Sequence, residues 1–136
     1  MKVGTQELKD KALDYAVALA NGFLSPLFEG EDARVVIQTY AGETKVVWNP
    51  KYYGHYGVDA YEPSKNWVEA GSIIEENKIS IQFEDGICSG YFREHLFCED
   101  GSECWSTGET ALVAAMRCFV QSKLGVEVEI PDEFLK

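Results

Sequence analysis

Residues 110–125, TALVAAMRCFVQSKLG, do more than any other stretch to decide what this chain can fold into. Leu112, Ala115, Met116, Phe119 and Val120 recur at the spacing of a single helical face. Thr110 is placed to cap the helix and Gly125 to end it. Burying those five side chains is worth about 5–10 kcal/mol before chain entropy is charged. So broad an apolar stripe requires another layer to cover it. The following VEVEIPDE alternates like a strand and stops at Pro131, so a sheet is the natural partner.

The rest of the chain supplies that sheet and a second helix. Thr5 to Leu8 reads as a capped turn leading into a helix over KDKALDYAVALANG. Its stripe is Leu13, Ala16, Val17 and Ala20, with Asp10 as cap and Gly22 as left-handed terminator. Pro26 and Gly30 break residues 23–33 into a loop. Residues 34–39 and 44–48 flank a turn containing Gly42 and read as a β-hairpin. GSIIEENKISIQF predicts one short helical turn and then a strand, with Ile79, Ile81 and Phe83 alternating against Ser80 and Gln82. A further strand is expected around Cys88 to Glu94. These elements predict one α+β domain over residues 1–136, a small, mainly antiparallel β-sheet packed with two principal α-helices.

Charge narrows the functional classes. Twelve basic against twenty-three acidic residues give a net charge of −11, which repels phosphate backbones and argues against direct nucleic-acid binding. The same charge admits mimicry of nucleic acid towards a basic partner. No apolar run approaches the roughly 18 residues that a membrane span needs, and Met1-Lys2-Val3-Gly4-Thr5 is no signal-peptide core, so the expected location is cytoplasmic. In that setting Cys88, Cys98, Cys104 and Cys118 need not pair. Cys88, His95, Cys98 and Cys104 lack the tight cysteine pairs of structural zinc sites, so no metal or cofactor is expected.

One loop is unusual. PKYYGHYGVDAYEPSKNW, residues 50–67, crowds four tyrosines, a histidine and a tryptophan among glycines and prolines. Its second half, continuing as YEPSKNWVEAGSIIEENKISI, resembles the central motif of NinX, a family of small proteins of lambda-like phages and prophages. The resemblance rests on Tyr61, Pro63, Ser64, Trp67, Gly71, Ile73, Ile74 and Glu75. ALDYAVALANG and TALVAAMRCFVQSKLGVEVEIPDE are similar to the same family's first helix and its C-terminal helix and strand. Asn66 and Ser72 depart from the acidic residue and proline common there. The resemblance implies a phage or prophage source, hence the cytoplasm of a bacterial host, and brings no activity with it.

No catalytic motif is present: no nucleophile elbow, no His-Glu-x-x-His, no phosphate-cradling glycine loop. Binding is therefore the expected mode. The Pro63-Ser64 turn would present backbone N–H groups beside the Trp67 face, with Tyr61 alongside. Lys65, Arg93 and Arg117 would supply positive charge, and Trp105 would work with the following helix N-terminus to hold an anion. The expected ligand is a small nucleotide-derived molecule, such as a cyclic nucleotide or an ADP-ribose derivative made in bacterial immunity, which the protein sequesters. The alternative is an acidic inhibitor of a host factor, motivated by Glu99, Asp100 and Glu103 and by Glu127, Glu129, Asp132 and Glu133. A homo-oligomer with its pocket between chains is a further expectation.

Overall fold

The computed structural model describes residues 1–22, 24–26, 35–38, 44–47, 59–92 and 105–135. Its centre is the predicted C-terminal helix, α3 (Ala111–Leu124). The Thr110 hydroxyl accepts from the Val113 amide at 3.1 Å, and Gly125 ends the helix at φ 89°. Met116, Cys118, Phe119 and Val120 are fully or almost fully buried, against Leu13, Ala16 and Val17 of α1 (Asp10–Ala20) and Ile73 of α2 (Trp67–Asn77).

A three-stranded antiparallel sheet covers another side of α3: β6 (Ile79–Glu84), β7 (Ile87–Phe92) and β8 (Trp105–Gly108). The sheet approaches α3 closely because Gly90 and Gly108 face its small residues. A Cβ on Gly90 would lie 2.9 Å from the Ala114 carbonyl oxygen, and one on Gly108 would lie 2.7 Å from the Ala114 nitrogen. Asp85 (φ 50°) and Gly86 (φ 78°) make the tight β6–β7 turn, an Asp-Gly pair suited to two left-handed positions.

The chain ends close a second sheet. β1 (Lys2–Gly4) pairs antiparallel with β9 (Glu127–Glu129), with Val3 opposite Val128. The Thr5 hydroxyl, in the 3-10 turn Thr5–Glu7, donates to the Gly125 carbonyl at 2.7 Å. A third sheet has the order β2 (Leu24–Pro26), β3 (Val35–Gln38), β4 (Thr44–Val47), β5 (Asp59–Ala60), antiparallel except for the β4–β5 pair.

The α+β class and the predominantly antiparallel pairing stand, and β3–β4 is the predicted hairpin. The sequence reading is corrected at several points. Leu24–Pro26, inside the stretch expected to be a loop, is the strand β2 and pairs with β3. The helical turn after Trp67 is a full helix of 11 residues, so the domain has three principal helices. Asn66 caps it by accepting from the Val68 amide at 2.9 Å, and Lys78 closes it in the left-handed conformation (φ 55°). Asp10 is the first residue of α1 rather than its cap, and it too is left-handed at φ 50°. The strand at Lys2–Gly4 was not expected.

Candidate functional site

The motif turn owes its place to α1. The Ser64 amide donates to Asp14 Oδ1 at 2.9 Å, Lys65 Nζ lies 3.6 Å from Asp10 Oδ1, and Asn21 Nδ2 reaches the Tyr61 hydroxyl at 3.5 Å. These contacts run along α1 from its first turn to its end, so Tyr61 to Lys65 lie against the helix like a strap. Tyr61 is buried in the core, and Pro63 is fully buried beside it. The N–H groups of the turn are engaged internally: Ser64 binds Asp14, while Lys65 and Asn66 both donate to the Glu62 carbonyl, at 2.9 and 2.8 Å. The expectation that they would present themselves to a ligand beside Trp67 is therefore corrected.

Asp14 is only 4 % exposed. Burial pushes its carboxyl up to about 7, and the Ser64 amide and the Lys65 charge offset only part of that. The Ser64 hydroxyl lies beside the same carboxyl and favours its charged form, without reaching hydrogen-bonding geometry. Asp14 is thus a buried acid whose ordinary state near neutral pH is divided between charged and neutral forms.

Beside the strap opens a cleft of about 620 Å³. Lys9, Asp10, Ser64 and Lys65 form one wall, and Glu109, Thr110 and Arg117 another. Ile87 and Val113 contribute apolar surface. The N-terminal ends of α1 and α3 both border it, and each carries partial positive charge from unpaired amides. Three cations and two carboxylates give the lining a positive balance in a chain whose net charge is −11. The Arg117 Nε donates to the Leu8 carbonyl at 2.7 Å and its Nη1 to the Thr107 carbonyl at 2.8 Å. Arg117 therefore ties α3 to the start of α1 and to β8 while contributing its charge to the cleft. Burial lowers its pKa and nearby Glu109 opposes the shift.

Of the residues singled out in the sequence, Ser64, Lys65 and Arg117 meet in this cleft. Trp67 begins α2, is 58 % exposed and is not part of the lining. Trp105 starts β8 and is 56 % exposed. It stands two residues from Thr107, on the same strand face, and Thr107 does line the cleft. Arg93, His95, Cys98, Cys104 and the tyrosines of 50–58 lie outside the described residues. Sequence reasoning missed Lys9 and Asp14. Asp14 gave no signal, since Asp10 and Lys11 stand one turn before it on the same side of α1, as on a solvated face.

Among the described residues no helix is long and apolar enough to cross a membrane. No curated protein matches the chain. The family model described as "Bacteriophage P22, NinX" matches residues 4–123, which takes in α1, the strap, the cleft and nearly all of α3, and the chain belongs to this family of phage proteins.

Proposed function

We propose that this NinX-family protein binds and sequesters a small nucleotide-derived anion in the cleft bordered by α1 and α3. A phage protein of this kind would counter host defence by removing an immune signal such as a cyclic nucleotide or an ADP-ribose derivative. The observation that carries the reading is the convergence of Lys9, Lys65 and Arg117 with two helix N-termini in a chain of charge −11. Helix N-termini and cations together favour phosphate oxygens. Asp10 and Glu109 are acceptors for ribose hydroxyls or base amino groups. The volume suits a ligand of nucleotide size. Trp105, exposed on the strand that carries Thr107, would stack on a base that extends from the cleft along β8.

The test is calorimetry against cyclic nucleotides and ADP-ribose derivatives. Lys65→Ala and Lys9→Ala should each weaken binding about tenfold or more, as loss of a charge-assisted hydrogen bond does. Trp105→Ala should cost about 1–3 kcal/mol and Trp67→Ala much less. Absence of binding across the panel refutes the reading. The alternative, an acidic inhibitor of a host factor, draws on Glu127, Glu129 and Asp132, all exposed at or beside β9.

A further inference from the structure

The cleft wall hangs on a buried acid that the binding reading does not use. Ser64 lines the cleft, its amide is held by Asp14 at 2.9 Å, and the next residue carries the Lys65 ammonium into the same cleft. We propose that anion binding in this cleft is coupled to protonation of Asp14, so that the protein takes up a proton as it captures its ligand. This rests on the binding reading and adds its regulation.

The coupling is electrostatic. Lys65 favours the charged form of Asp14, and Glu62 on the same turn opposes it. Asp10 and Lys11 lie within one turn of Asp14 on α1. Glu69 at the start of α2 accepts from the Glu62 amide at 2.8 Å, which keeps a second carboxylate near the strap. Arg117 stands on the α3 side of the cleft. Into this balance an incoming anion brings negative charge and draws on Lys65, which now rests against Asp10 at 3.6 Å. Both changes disfavour a charged Asp14 in its low-dielectric site. The carboxyl of free protein already has its midpoint at about 7, so the proton is exchanged within the neutral range. Linkage is reciprocal: if the anion favours protonation, protonation favours the anion by the same factor.

The experiment uses cyclic AMP, a phosphodiester whose charge is constant between about pH 6 and 8, and compares the full chain with Asp14→Asn. Wild-type affinity should fall roughly tenfold as pH rises across that interval, while Asp14→Asn, a permanently neutral isostere, should bind with near-constant affinity at the low-pH level. Without any ligand, the Ser64 amide resonance should titrate with a midpoint near 7 in wild type and stay flat in Asp14→Asn. An equal pH dependence in both proteins, or a flat wild-type Ser64 resonance, overturns the coupling and leaves the binding reading standing. No binding of cyclic AMP or any other panel member at any pH overturns the binding reading, and the coupling with it.

Discussion

Replacing Asp14 by asparagine removes a charge while keeping an oxygen that can accept from the Ser64 amide. In the folded protein the carboxyl titrates at about 7 instead of its ordinary 3.8. At about 1.4 kcal/mol for each tenfold change in proton affinity, holding it ionised costs the folded state on the order of 4 kcal/mol. The sign follows from which state gives up the proton first. Below pH 3.8 the carboxyl is neutral in both states and there is no cost. Between 3.8 and about 7 the unfolded chain ionises while the folded one holds its proton, so stability falls as pH rises. Above about 7 the full cost is present and constant. Asp14→Asn should therefore be more stable than wild type at about pH 8, by roughly 2–4 kcal/mol once interior relaxation is allowed for, and nearly equal to it at about pH 4. Urea unfolding followed by tryptophan fluorescence at both pH values measures the difference, in which the other acids largely cancel. A variant less stable than wild type at pH 8, or a difference that does not change with pH, refutes the reasoning. At about pH 4, where ionisation costs nothing, Asp14→Ala should instead lose about 1–3 kcal/mol, because the Ser64 amide is left without its partner.

Gly90→Ala drives a Cβ to 2.9 Å from the Ala114 carbonyl oxygen, a backbone atom that cannot step aside, and should destabilise by about 1–3 kcal/mol in the same urea assay. Lys78→Gly relieves the left-handed backbone at φ 55° that closes α2 and should raise stability by about 1 kcal/mol, seen as a higher thermal midpoint. The Cys118 thiol, pushed up to about 12 by burial, should resist iodoacetamide in native protein and react only after unfolding, as read by mass spectrometry.

A cell can hold a costly buried acid only if the rest of the fold outweighs it, and that surplus was visible in the sequence at α3. Its stripe, its Thr110 cap and its Gly125 terminus are local signals, and each appears where expected. The Ile79, Ile81, Phe83 alternation likewise became β6. Local signals failed where the cause was distant. Lys2–Gly4 is too short to show a period, and its partner lies at the other end of the chain. GSIIEEN reads as only a short helical turn, yet α2 starts earlier, at Trp67, because Ala70 and Ile73 are both buried in the core. At the site, Lys65, Ser64 and Arg117 were legible as polar residues in marked contexts. Their convergence was not, since it depends on α1 receiving the strap. Asp14 looks like a surface acid in sequence, and only the turn laid across it makes it a buried one.

The pairing of β1 with β9 also sets an order in time. Thr5 and Gly125, joined by the Thr5 hydroxyl, are separated by 120 residues of chain. At a synthesis rate of about 5–20 residues per second, the first strand waits roughly 6 to 24 seconds before its partner exists. Until then the turn at Thr5–Glu7 lacks its anchor, and the Leu8 carbonyl lacks the Arg117 guanidinium. The N-terminal helix and the strap can meet early, but the wall of the cleft that α3 provides is set among the last events of folding. A ribosome-bound chain shorter than about 125 residues should thus hold the motif turn without yet possessing a site.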